Sequence, residues 1–165
     1  MRFHAVWFVP LAVASLLLSG CATTFDVGTA DRSVTPRAAV DNVAAVRDRS
    51  VAWGGIIVAA KNLKEHTELE VLAYPLDNNN RPKRNGEPLG RFIAVHSGYL
   101  ETADYAAGRE ITTVGTVTAT RAGTVGEAAY VYPLLATSRV YLWPKESAYR
   151  SEPSVHFGIG VGIIK

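Results

Sequence analysis

The chain has 165 residues, 48% of them hydrophobic, and 17 Lys and Arg stand against 15 Asp and Glu. So even a balance gives no electrostatic case for nucleic acid, which would call for a clustered basic face. The single cysteine excludes an intrachain disulfide, so one domain of this length must be held by its own core.

The first twenty-one residues, MRFHAVWFVPLAVASLLLSGC, have the zones of a secretory signal. Arg2, with His4 nearby, supplies the positive end, and Ala5 to Leu18 is almost wholly apolar and uncharged. That run is shorter than the roughly twenty apolar residues of a transmembrane helix and is broken by Pro10, so it is expected to be cleaved rather than to span. Leu18, Ser19 and Gly20, the expected peptidase recognition residues, lead directly into Cys21 and resemble a bacterial lipoprotein lipobox. The resemblance implies cleavage before Cys21 and a lipid on its sulfur. Ala22, where an aspartate would retain the protein at the inner membrane, implies sorting to the outer membrane. Removing residues 1–20 takes away one arginine and no acid, which leaves the mature chain nearly neutral.

After the anchor, residues 21–34 are small, polar and without period, and are expected to form a flexible tether. Thr35 and Pro36 then predict a helix start, with Val40, Val43, Ala44 and Arg47 at helical spacing. From Ser50 the pattern is that of a β protein. The segment VAWGGIIVAA is apolar on both faces and centred on Gly54-Gly55, which predicts a buried first strand that bends or bulges. In the second, Thr67, Leu69, Val71 and Ala73 alternate with Glu68 and Glu70. Asp77 to Pro88 reads as a solvated loop, RFIAVHS as the third strand, and ETADYAAGRE as a connector with at most one helical turn. ITTVGTVTAT, with Gly115 inside it, predicts the fourth strand, RAGTVG a turn, and the stretch through Trp143 one or two strands interrupted by Pro133.

These elements predict a mainly β fold, a small five- to six-stranded Greek-key barrel of the oligonucleotide/oligosaccharide-binding (OB) type after a short helix. An open meander or a sandwich is the competing arrangement. The expected organisation is signal 1–20, tether 21–34, barrel with its helix 35–146, and a glycine-rich apolar tail 147–165.

The strings WGGIIVAAKN, TELEVLAYPLD, GRFIA, DYAAGREITTVGTV, YVYP and LWP, in this order and spacing, resemble the Slp family of outer-membrane lipoproteins. The resemblance runs from the lipobox to about Pro144. It implies a lipid-anchored outer-membrane address, associated with carbon starvation, stationary phase and envelope stress, and no defined reaction. The final SVHFGIGVGIIK departs from the aromatic-rich tails that family members often carry. Within it Phe157, Ile159, Val161 and Ile163 alternate with glycines, a pattern that suits either strand addition at an edge or a flexible terminus.

Chemistry-bearing residues are few. His66, Glu68 and Glu70 stand at alternating positions, a spacing that suits divalent-ion ligands, but a further convergent ligand is missing, so a solvated outer face is expected. His96-Ser97 has no acid at a triad spacing, and Ser97-Gly98 reads as a turn. Arg81, Lys83 and Arg84 form a basic loop diluted by Asp77 and Glu87, expected to be a surface that touches anionic lipid heads at most. Tyr130, Tyr132, Tyr141 and Trp143 are expected to pack the barrel and its mouth. The expectation is therefore a non-catalytic lipoprotein with no cofactor and no bound metal, whose partners are the outer membrane and an envelope protein or glycan. The alternative is an envelope hydrolase or metal-dependent enzyme using His66 and His96.

Overall fold

A computed structural model describes residues 24–145. Two short helices, α1 (Pro36–Asp41) and α2 (Val43–Val46), precede five strands: β1 (Ser50–Asn62), β2 (His66–Tyr74), β3 (Gly90–Ser97), β4 (Glu110–Val125) and β5 (Ala128–Leu142). The strands close into a barrel in the order β1-β2-β3-β5-β4. Neighbours are antiparallel except β3 and β5, which pair in parallel. This is the OB-type closure, with five strands and no sixth among the described residues.

The glycines explain how β1 serves both neighbours. Gly54, Gly55 and Ile56 pair with β2 on one side and with β4 on the other, while the ends of β1 belong to one neighbour each. A Cβ on Gly55 would run into the Leu72 carbonyl, and one on Gly54 would come within 2.8 Å of the Ile111 carbonyl. The irregularity expected at Gly54-Gly55 lies further along β1, as a register shift between Ile57 and Ala59, and at the glycines themselves both ladders are regular. Inside the barrel, Trp53 meets Phe92 edge-on at 5.1 Å between centroids, over buried Leu69, Val71, Ile111, Val117 and Leu135. The Trp53 indole nitrogen donates to the Val34 carbonyl at 2.7 Å.

Four sequence expectations are corrected. The single helix is two short ones, because Asn42 ends α1 and caps α2, its Oδ1 accepting from Ala45 N at 3.2 Å. The residues these helices bury are Pro36, Ala39 and Val46, whereas Ala44 is exposed. The expected tether is docked from Thr24 onward. Val27 and Ala30 are buried, Phe25 stacks on Tyr141 at 5.2 Å, and Asp31 forms a parallel bridge to Val51.

The predicted turn RAGTVG is mostly strand: β4 runs to Val125, and Gly126-Glu127 alone joins it to β5. Gly126 supplies the positive φ, +58°. Gly123 lies within the ladder, where its missing side chain leaves room for the Tyr132 ring. Lastly, β5 is one unbroken strand. Pro133 pairs with Thr120 of β4 and stands one residue before the parallel ladder to β3 begins at Leu134, where a missing N–H costs no bond to β3. The 98–109 connector contains one α-type hydrogen bond, Tyr105 N to Glu101 O at 3.0 Å, and no helix.

Candidate functional site

The alternation in β2 puts Thr67, Leu69, Val71 and Ala73 inside and leaves His66, Glu68 and Glu70 on the outer face. The two carboxylates there are held by cations rather than solvated. Arg121, from the far part of β4, grips Glu68 with two nitrogens at 2.9 and 2.8 Å. Arg91 of β3 donates to Glu70 Oε1 at 2.6 Å, and the Tyr132 hydroxyl stands 3.2 Å from the same oxygen. His66 Nε2 lies 3.4 Å from Glu68 Oε1. Among the described residues no group of three or more His, Cys, Asp or Glu is placed to hold a metal ion.

The remaining polar candidates lie apart. His96 is opposite Thr67 on the inward side of the ladder, and His66 is opposite Ser97 on the outward side, so the two histidines belong to opposite faces. His96 Nδ1 lies 3.4 Å from the Thr137 hydroxyl, and Ser97 is exposed at the strand end.

The Arg121 guanidinium holds the Glu68 carboxyl below its ordinary range, against the opposing effect of partial burial, and His66 adds a smaller lowering. A carboxyl with a lowered folded-state pKa contributes stability above its unfolded pKa and loses it as pH falls through the folded value. The strap from β2 to the β4–β5 hairpin is therefore present at neutral pH. It fades as pH drops below the ordinary glutamate pKa of about 4.3. Arg121→Ala should move the Glu68 titration upward, as read by carboxyl carbon NMR, with a stability loss below about 1 kcal/mol because Arg121 is well exposed. An unmoved Glu68 titration would mean that the pair is not formed in solution.

A second polar region joins the β2–β3 loop to the start of β4 and the end of β5. The loop is built rather than merely solvated. Asp77 Oδ1 accepts from the backbone N–H groups of Asn79 and Arg81, both at 2.8 Å, and Leu76 bridges to Pro82. Asn80 takes a φ of +65°, which asparagine tolerates, and is buried. The Thr112 hydroxyl donates to the Asn80 carbonyl at 2.6 Å and accepts from the Trp143 indole at 2.9 Å.

This construction places Arg81 and Arg84 on the two oxygens of Glu110, at 2.6 and 2.9 Å. With Arg109, Trp143 and Lys145 they line a cleft of about 360 Å³. The Arg81 guanidinium stands 5.7 Å from the Trp143 ring, and Arg109 donates to the Trp143 carbonyl at 3.0 Å. Lys83 is exposed beside it. Of this cleft the sequence pattern singles out Arg81 and Arg84. It misses Arg109, Glu110 and Lys145, whose approach depends on barrel closure.

Of the expected aromatic packing, Trp143 and Tyr132 are buried, while Tyr130 and Tyr141 are half-buried. Tyr130 uses its hydroxyl to accept from Arg91 N at 2.7 Å, where β5 has parted from β3. Cys21, Leu18, Ser19, Gly20 and the tail 147–165 lie outside the described residues.

Residues 18–159 match the model of the outer membrane lipoprotein Slp family. The chain is 29% identical over 102 residues to an uncharacterized protein of Haemophilus influenzae, a match covering 61% of this chain and 55% of that protein. It is 26% identical over 91 residues to outer membrane protein Slp of Escherichia coli, covering 55% and 48%. The chain thus matches about half the length of these curated relatives. Among solved structures, it is similar to the mitochondrial single-stranded DNA-binding protein Rim1 of S. cerevisiae, with a TM-score of 0.38, 12% identity, and 58% of this chain and 94% of that one covered. A small single-stranded DNA-binding protein of Streptomyces coelicolor gives 0.34 and 9%, with the same coverage. With the family model matched across most of its length, from the LSGC string through all five strands, the chain belongs to the outer membrane lipoprotein Slp family, whose description implies lipid anchoring at the outer membrane.

Proposed function

We propose that this protein is a non-catalytic envelope module, attached through a lipid on Cys21 to the periplasmic face of the outer membrane, that acts by occupying a surface. Its partner is an envelope protein or glycan, and it is made under starvation or envelope stress. One observation carries the non-catalytic reading: the polar side chains that suggested chemistry do not converge on one point. Glu68 is gripped by Arg121 and Glu70 by Arg91, and His66 and His96 lie on opposite faces of the sheet. Catalysis requires polar groups converging on one point, with a base positioned by a second group.

The purified protein is expected to be inert towards ester, peptide and glycan substrates, with or without added zinc. Turnover that His66→Ala or His96→Ala abolishes while the fold survives would overturn this reading in favour of an envelope hydrolase.

A further inference from the structure

We infer that the basic cleft between Arg84 and Lys145 receives the phosphate of an anionic phospholipid headgroup and seats the barrel on the membrane that holds its anchor. Two independent observations meet here, and the inference rests on the reading of Cys21 as the lipidated residue.

The first observation is the charge of the cleft. Arg81, Arg84, Arg109 and Lys145 line it against one carboxylate, Glu110. Glu110 is largely buried and spends its two oxygens on Arg81 and Arg84, so it organises these guanidiniums without neutralising the group. Arg84 spends its Nε on Glu110 and one Nη2 hydrogen on the Gly108 carbonyl at 2.9 Å, and of its five N–H donors the Nη1 pair remains for an added anion. Arg84 is 57% exposed, so its outward side is open to a ligand. A phosphate group, with several acceptor oxygens and a charge spread over them, is the chemistry that such a set recognises.

The second observation is where the chain enters the barrel. Phe25 N donates to the Asn79 carbonyl at 3.2 Å, Asn80 Nδ2 donates to the Phe25 carbonyl at 2.8 Å, and the Thr24 hydroxyl lies 3.1 Å from Asn79 Oδ1. The N-terminal strip is thereby stitched to the loop that carries Arg81 and Arg84. A continuous aromatic path makes the same connection: Phe25 on Tyr141 at 5.2 Å, Tyr141 on Trp143 at 4.7 Å, and Trp143 under Arg81. Cys21 precedes Thr24 by three residues, which span at most about 11 Å when fully extended. A lipid on Cys21 therefore brings the β2–β3 loop, and the cleft beside it, to headgroup level. Juxtamembrane basic residues are attracted to an anionic surface most strongly within about a Debye length, and the short link from Cys21 lets the loop stitched to Thr24 and Phe25 approach that range.

The test reconstitutes the full lipoprotein into vesicles of three parts phosphatidylethanolamine to one part phosphatidylglycerol, and separately into phosphatidylcholine vesicles. Cosedimentation reads the anchor, and hydrogen exchange of peptides covering 79–84 and 108–111 reads the cleft. Attachment to both kinds of vesicle is expected, with exchange at the cleft slowed several-fold in the phosphatidylglycerol vesicles alone. The slowing should vanish in the Arg84→Gln/Lys145→Gln variant. It should persist in Lys61→Gln/Lys64→Gln, which removes the same charge at the opposite end of β2.

Equal exchange in both vesicles, or equal loss in both variants, would overturn the inference. Slowing by millimolar inorganic phosphate on phosphatidylcholine would do so as well, by making soluble phosphate the ligand. Cosedimentation with neither vesicle would refute the anchor instead. The cleft is then judged by adding the unanchored chain to phosphatidylglycerol vesicles at low salt. Binding that falls about 25-fold in the Arg84/Lys145 variant, near fivefold per cation, upholds it, and no binding rejects it.

Discussion

Gly115→Val is expected to lower the melting temperature by on the order of 10 °C, equivalent to about 3 kcal/mol for a domain of this size. Gly115 is buried at a register shift where β4 changes its alignment with β5. A Cβ there would collide with the Ala136 carbonyl and lie 3.0 Å from Leu135 Cγ. The first obstacle is backbone of the neighbouring strand, which cannot turn aside as the end of a flexible side chain can. Relief would require β4 and β5 to separate where they close the barrel with β1 and β3. Thermal unfolding followed by circular dichroism checks this, and an unchanged midpoint would mean that the two strands do not meet here as described.

Cys21→Ser should have the largest effect on location. Thioether formation needs the sulfur, and this is the chain's one cysteine, so no neighbouring thiol can substitute. The variant is expected to accumulate as uncleaved precursor, with metabolically labelled palmitate absent and the outer-membrane form lost. Continued processing and fractionation with outer membranes would show that the string LLLSGC is not a lipobox.

The parts of this molecule that were legible in its sequence are those fixed by neighbours along the chain. Alternation from Thr67 to Ala73 marked which face of β2 is buried, and Gly54-Gly55 marked the place where β1 is pressed between two backbones. What escaped was set by residues far apart. Arg121 looked like part of a turn because Gly123 and Gly126 flank it closely, yet it is a strand residue whose partner, Glu68, is 53 positions away. The segment 24–34 looked like a tether because its few apolar residues are isolated. Val27 and Ala30 find their burial, and Phe25 its partial cover, only on the finished barrel. The cleft escaped for the same reason, since Glu110 opens β4 while Lys145 lies just beyond the end of β5.

The double pairing of β1 has a kinetic consequence. Up to Ser97 the emerging chain can form only a three-stranded meander, in which Ser50–Ile56 lacks the β4 residues Glu110–Thr116 that it will later meet. That unfinished edge is apolar and almost free of charge, the kind of template on which a second chain adds a strand. Closure also needs the parallel ladder from Ile93 to Leu134, which cannot form until β5 has been made. Ring closure between such distant segments is slow compared with forming a hairpin. The protein is therefore most vulnerable to aggregation between the appearance of its third strand and that of its fifth, and an envelope chaperone that shields Val51–Ile57 during that interval would raise its yield without changing its final stability.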